Sequence, residues 1–147
     1  MVYSILQHAH SGLRWLVLIF LIMAIFNALT KMASGHWTSA DKKKSLFGMM
    51  FTHIQIILGI VLYGMSPKVS FGEGWIENAM TRFYGLEHIT MMLIAAILIT
   101  IGYSTSKRSQ TDKAKFKKIL IFYSLGLVVI LAAIPWPFRE ALGGGWF

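Results

Sequence analysis

The chain has 147 residues, of which 56% are hydrophobic and 14% are charged, and its formal net charge is +8. It contains no cysteine, which excludes disulfides, thiolate metal sites and the covalent attachment of a c-type haem. The mean hydropathy of +0.62 is typical of a membrane protein. The basic residues are concentrated beside the apolar stretches. This position is typical of residues that set membrane topology and contact lipid headgroups. No nucleic-acid partner is therefore expected.

Four apolar stretches are each long enough to cross a bilayer, which takes about 20 residues in a helix. They are predicted at about residues 4–31, 45–66, 82–104 and 118–138. The stretches are continuous rather than alternating, and helices satisfy their own backbone polar groups inside lipid. The expected fold is therefore an all-α membrane protein, a single four-helix transmembrane bundle over residues 1–138. Residues 139–147, with their glycine run, are expected to form a short flexible periplasmic tail.

Basic residues predict the orientation of the bundle. They gather in the first connection, residues 31–44, and in the third, residues 107–118, whereas the second, residues 66–85, is balanced in charge. By the positive-inside rule the first and third connections are cytoplasmic. Both termini and the second connection are then periplasmic, in a bacterial inner membrane. The aromatic residues of the second connection indicate either an interfacial anchor or a cap on the bundle.

Four of the five histidines lie within the predicted spans, and their depths differ. At a rise of 1.5 Å per residue, His88 lies about 9 Å past Arg82, which marks the outer interface. The first span is entered from the same side, so His8 and His10 also lie in its outer part. His53 lies about 14 Å beyond the basic end of the second span, in the inner half of the membrane.

A haem with two axial imidazoles needs one histidine from each of two facing helices at one depth. His10 and His88 fit this requirement and are the predicted ligands of the haem iron. His8 and His10 are about 200° apart around a helix, so only one of them faces the bundle. His10 is favoured as the residue that faces the bundle, because Arg14 lies on the same helix face one turn deeper. Gly12, which has no side chain, also permits close approach of a backbone or a flat ligand nearby. His8 is then solvated at the interface.

The alternative for these histidines is a hydrogen bond between helices, which contributes about 0.6 kcal/mol on average. This is the expectation for His53, which has polar neighbours in its own span. A second haem would need another histidine at the depth of His53, and the fourth span has none. One haem per chain is therefore the expected maximum.

Arg14 and Glu87 are the two charged residues nearest to the apolar zone, and two interpretations stay open. In the first, Arg14 and Glu87 form an ion pair between helices, and the Arg14 side chain extends outward. In the second, Arg14 binds haem propionates or a substrate carboxylate. Glu87 would in the second case accept a proton from an imidazole and orient it. A further alternative is a zinc site in which Glu87 joins His10 and His88.

The order of these residues resembles one half of haem A synthase. The stretch QHAHSGLRWLVLIFL resembles the haem-ligating helix of that family. In that helix a histidine lies at the start and an arginine lies nearby. HIQIILGIVLYGMSPKV and RFYGLEHITMMLIAAILI resemble the next two helices, and the second of these carries the partner histidine. The resemblance covers about the first hundred residues. The chain is also similar to the small four-helix membrane proteins of Bacteroidetes that are labelled cytochrome B.

This resemblance implies one non-covalent haem b near the outer face, ligated by His10 and His88. The chain departs from the synthase in two respects. Gln7 stands where that family has a glutamate three residues before its first histidine, and the additional helix comes last rather than first. Shared haem-binding architecture is therefore expected, without the hydroxylation or oxidation chemistry of the synthase.

Two imidazoles leave no open position on the iron, so electron transfer is expected rather than activity as a stand-alone enzyme. A quinol or a subunit of a respiratory complex would be the redox partner. Two alternatives remain open. The chain is a cofactor-free structural or accessory subunit of a membrane complex, since each polar residue also has a packing role. Otherwise it is a factor that carries haem or a metal transiently.

Overall fold

The computed structural model describes residues 1–146, and in this part of the chain it contains helices and no strand. Four long helices follow in order: α1 (Val2–Lys31), α2 (Ser39–Met65), α3 (Ala79–Arg108) and α4 (Asp112–Ala133). Each is long and apolar enough to cross a membrane. Each helix packs against two neighbours, so the four close into one bundle. The predicted all-α class and the four candidate spans are confirmed.

The helix ends differ from the predicted spans by several residues. α2 begins at Ser39 and α4 at Asp112, so most of the basic residues expected in connections lie on the first helical turns. α4 ends at Ala133 rather than near residue 138. Pro135 disfavours helical backbone at the residue before it, and Ile134 is accordingly extended, with φ −70° and ψ 129°.

A buried polar network ties α1 to α2 at the end that carries the basic residues, which we call the basic end. The Asp41 carboxylate is fully buried and accepts hydrogen bonds from Thr38, from Asn27 Nδ2 at 2.9 Å and from Lys31 Nζ at 2.9 Å. Thr38 and Asp41 also form a capping box, which satisfies free amides at the start of α2. We call these residues the Asp41 network.

The closest packing between helices lies in the basic half of the bundle. A Cβ added at Gly102 of α3 would lie 2.6 Å from Phe122 Cβ, and one added at Gly126 of α4 would lie 2.8 Å from Ile99 Cγ1. Small residues let helix backbones approach closely in membrane proteins. The buried Tyr123 adds a hydrogen bond from its hydroxyl to the carbonyl of Ser45 at 2.6 Å. The helices of this half are therefore in close contact along their core.

Large apolar side chains cover the outside of all four helices. Phe26, Ile57, Ile97 and Val128 each keep more than half of their surface exposed. An apolar surface of this extent is characteristic of contact with lipid rather than with water. Together with the four spans, it indicates a multi-pass membrane protein.

Candidate functional site

A cavity opens between the helices in the half of the bundle opposite to the basic end. Its lining extends over residues 3–17 of α1, residues 52–66 in α2 and its C-terminal cap, and residues 84–95 of α3. On α1 and α2 this corresponds to a length of about 21 Å along the helix axis. The end of α4 and residues 143–145 complete the wall. Most of the lining is apolar, and the polar groups are few, as in a cofactor or ligand site.

His10 and His88 both line this cavity from opposite sides. Their ring centres are 6.4 Å apart, and the ring planes are inclined by 68°. Each histidine is about 30 Å along its helix from the basic end, since His10 precedes Lys31 by 21 residues and His88 precedes Arg108 by 20. The two imidazoles therefore meet at one depth.

The separation of the two rings fits a shared metal ion. Two imidazoles bonded to opposite sides of one ion at about 2.0 Å have ring centres about 6.2 Å apart. The observed 6.4 Å is close to that value.

The ring of His88 is held in one orientation by the end of α4. Its Nδ1 lies 2.8 Å from the carbonyl oxygen of Ala133, so Nδ1 must carry the proton and donate it. The lone pair is then on Nε2, the tautomer that suits a metal ligand oriented by a second hydrogen bond. The carbonyl of Ala133 is available because it belongs to the last turn of its helix.

A π-helical turn at Phe83–Glu87 directly precedes His88 in α3. Such turns are frequent at functional sites, and they leave backbone carbonyls that need other partners. Here the hydroxyl of Tyr63 donates to the carbonyl of Gly85 at 2.8 Å. The turn thus fixes the rotation of the helix segment that presents His88.

The glycine that makes room for His10 is on the facing helix. A Cβ added at Gly59 of α2 would lie 3.3 Å from His10 Cε1, tighter than an ordinary contact. Gly12, which the sequence predicted for this role, does not line the cavity, and nothing lies within 4 Å of its Cβ position. On the same side of the bundle, Gln55 Nε2 donates to the carbonyl of His10 at 2.8 Å.

Three buried side-chain atoms lack a hydrogen-bond partner within residues 1–146: His10 Nδ1, Arg14 Nε and Gln55 Oε1. All three residues line the same cavity. Buried polar groups in proteins are normally paired with protein or water. Their concentration here marks the cavity as a place for a ligand that carries polar groups or a metal.

Arg14 is not paired with Glu87. Arg14 is 9% exposed as a residue, and its guanidinium donates through Nη2 to the carbonyls of Trp146 at 2.7 Å and Gly145 at 3.4 Å. The Glu87 carboxylate lies outside the cavity lining and accepts from Arg82 Nε at 2.7 Å. No group of three or more His, Asp or Glu residues within residues 1–146 is arranged to hold a metal ion, so Glu87 supplies no third zinc ligand.

The other two histidines of the spans are outside the cavity lining. His8 is exposed on α1, two residues from His10. His53 is exposed on α2, and its Nε2 lies 2.9 Å from Thr100 Oγ1 of α3. His53 thus makes the kind of polar contact between helices that the sequence predicted for it.

The C-terminal segment, for which the sequence predicted a flexible tail, lies against the bundle. A short 3₁₀ turn at Glu140–Leu142 buries Leu142, which is 5% exposed. The carbonyl of Leu142 accepts from the Tyr84 hydroxyl at 3.0 Å, and that of Gly143 accepts from Lys68 Nζ at 3.0 Å. Phe147, the last residue of the predicted tail, is outside the described residues.

Sequence reasoning missed several groups that shape this site: Gln55, Gly59, Lys68, Tyr84 and the carbonyl of Ala133. Gln55 was visible as a polar residue in an apolar span, which is itself a signal of function or of interhelical bonding. The others carry no such signal, because a glycine, an interfacial lysine or tyrosine and a backbone carbonyl are common in any membrane protein.

Comparisons with known proteins give no information on the function of this chain. No protein-family model matches the chain, and no characterised protein and no solved structure is significantly similar to it. The resemblance to haem A synthase therefore stays a prediction.

Proposed function

We propose that the protein is a small integral-membrane b-type cytochrome. It binds one non-covalent haem b between His10 and His88 and transfers electrons. The observation that carries this proposal is the 6.4 Å separation of the two imidazoles, which come from different helices and line one cavity. The hydrogen bond from His88 Nδ1 to Ala133 adds support, because it leaves Nε2 available to a metal.

The residues of the chain have separate tasks in this proposal. His10 and His88 supply the two axial ligands, the Ala133 carbonyl keeps His88 in its tautomer, and Gly59 leaves space for the His10 ring. Apolar side chains of α2 and α3 line most of the remaining wall and exclude water. The haem supplies reversible one-electron chemistry when bound, and two imidazoles leave no position for oxygen.

The same proposal includes the orientation in the membrane. The basic helix ends are cytoplasmic, both termini are periplasmic, and the membrane is a bacterial inner membrane. The histidines then lie near the periplasmic surface, within reach of a quinol or of a respiratory-complex subunit. Lipid surrounds the exposed apolar side chains.

Absorption spectroscopy of the detergent-purified protein tests this proposal. We expect a reduced-minus-oxidised spectrum with a low-spin b-type α-band, and a pyridine haemochrome assay that gives about one haem per chain. His10→Ala and His88→Ala should each lose this spectrum. His8→Ala and His53→Ala are matched controls outside the cavity and should keep it.

Other outcomes point to the alternatives. A His88→Ala protein that keeps the full low-spin spectrum would reject the ligand assignment. A wild-type protein that stays colourless after haem addition would reject the cytochrome and favour a cofactor-free subunit. Rapid transfer of bound haem to apomyoglobin would instead indicate a haem-carrying factor.

A further inference from the structure

The cavity is lined by one arginine, one lysine and no acidic residue of the described chain. Arg14 and Lys68 are the basic residues, and Asp and Glu are absent from the lining. Among the described residues, the lining therefore contains cationic side chains and no carboxylate. Cations away from water are normally paired with anions. The charge therefore selects for a ligand with acidic groups.

Arg14 provides the first of these cations. Arg14 is 9% exposed as a residue, and the hydrogen-bond acceptors of its guanidinium are the uncharged carbonyls of Gly145 and Trp146. Its Nε has no partner in the described chain. A planar guanidinium binds carboxylates through two parallel hydrogen bonds, and Arg14 thus keeps donor capacity for such a group.

Lys68 provides the second cation, in the connection that follows α2. Its Nζ donates to the carbonyl of Gly143 at 3.0 Å and lies 3.5 Å from the Tyr84 hydroxyl and 4.8 Å from the centre of that ring. Burial lowers the pKa of the Lys68 ammonium. No carboxylate of residues 1–146 forms an ion pair with it. An ammonium has three donors, so one remains for a ligand.

Both cations lie along one edge of the cavity, since both contact the C-terminal segment. Lys68 contacts Gly143, and Arg14 contacts Gly145, two residues further along. Two residues span at most about 7 Å of chain. The two propionates of haem b likewise leave one edge of the macrocycle.

We infer that Arg14 and Lys68 bind the two propionates of the haem, on the edge of the cavity that the segment Gly143–Trp146 covers. This inference rests on the proposed function. The carboxylate edge of the haem would then lie beside Gly143–Trp146. The apolar edge would lie in the part of the cavity lined by Ala95 and Ile130. The carbonyls of the glycine segment hold both cations on this edge.

The test compares haem b with its dimethyl ester, which has the same macrocycle and iron but no free carboxylate. Both are titrated into the full-length apoprotein in detergent, and dissociation constants are measured from the Soret absorbance. We expect the wild-type protein to bind haem b at least about 10-fold more tightly than the ester, because each charge-assisted hydrogen bond favours the acid. Lys68→Met and Arg14→Met should each reduce this preference by about 3-fold or more.

Two controls separate the acid contact from general damage to the bundle. Lys117→Met removes the same charge from an exposed position at the basic end and should leave the preference unchanged. Lys68→Arg keeps the cation and should retain the preference. The readout is a ratio of two affinities, so a uniform weakening of the fold does not change it.

The possible results distinguish the two proposals. Equal affinity of the wild-type protein for haem b and the ester would overturn the inference and leave the cytochrome proposal intact. An unchanged preference in both Lys68→Met and Arg14→Met would also overturn it. Binding of neither compound by the wild-type protein would overturn the proposed function, and the inference with it.

Discussion

His88 owes its orientation to a proline that lies 47 residues away in the chain. Pro135 ends α4 at Ala133, and the last carbonyls of a helix have no partner within it. One of these carbonyls, that of Ala133, accepts from His88 Nδ1, and another, that of Ala132, accepts from Arg139 at 3.1 Å. The end of α4 therefore holds the ring of the proposed haem ligand in one orientation through a hydrogen bond.

Gly59 gives the first prediction, at the scale of single residues. Gly59→Val places a branched side chain where even a Cβ would lie 3.3 Å from the His10 ring. The ring would be displaced from its position opposite His88, and we expect the haem content of the purified protein to fall to less than half. The pyridine haemochrome assay measures this.

Gly64→Val is the matched control for that change. Gly64 is on the same helix, and nothing lies within 4 Å of its Cβ position. It should retain the wild-type haem content. Full haem content in Gly59→Val would show that His10 does not need the space that Gly59 leaves, and would argue against its role as a ligand.

At the scale of elements, the Asp41 network joins two helices through one buried carboxylate. Asp41 caps the start of α2 and at the same time accepts from Asn27 and Lys31 of α1. A buried charge is costly unless several donors surround it, and here at least four donors do so. The network thus fixes how α1 and α2 meet, far from the histidines.

Removal of that charge gives the second prediction. Asp41→Asn should lower the free energy of unfolding by about 2 kcal/mol, because the Lys31 ammonium and the donors of Thr38 lose an ionised acceptor. Thermal unfolding in detergent, followed by circular dichroism, should show a lower Tm. The low-spin haem spectrum should persist below that temperature.

Asp112→Asn is the matched control at the first turn of α4. The side chain of Asp112 is 36% exposed and lies 3.5 Å from Lys115 Nζ and 3.6 Å from His36 Nδ1, so Asp112→Asn should lower the Tm by less than Asp41→Asn does. A similar Tm for both variants and the wild type would contradict the structural role assigned to the Asp41 network.

At the scale of the whole molecule, the two ends of the bundle differ in charge. The first two turns of α2 and of α4 carry most of the lysines, whereas the histidine end combines Lys68 and three arginines with four glutamates. The positive-inside rule depends on such a bias and not on the fold itself. The bundle alone is compatible with either orientation.

Cysteine labelling tests the orientation as the third prediction. The natural sequence has no cysteine, so a single introduced thiol is the only target. Glu73→Cys, at the histidine end, should react with a membrane-impermeant maleimide in cells whose outer membrane alone is permeabilised. Lys43→Cys, at the basic end, should react only after the inner membrane is disrupted.

The reverse labelling pattern would place the histidines near the cytoplasmic surface. It would contradict the predicted topology and leave the bundle and the haem ligands unaffected. Equal labelling of both positions before disruption of the inner membrane would instead contradict the four-span arrangement.

The sequence by itself determined the class of the protein, its four helices and the depths of its histidines. Apolar composition and a constant rise per residue are local properties, so they can be read without knowing how the helices pack. The selection of His10 and His88 rather than His53 followed from depth alone, and the structure brings those two rings together.

Only the tertiary structure decided the surroundings of these two rings. Gly59 rather than Gly12 lies against His10, the Ala133 carbonyl binds His88, and the C-terminal segment covers Arg14. The last two contacts join residues 45 and 132 positions apart. They depend on how each helix is rotated about its axis and on where the chain returns after α4. No local pattern encodes either property, because both are set by packing against the other helices.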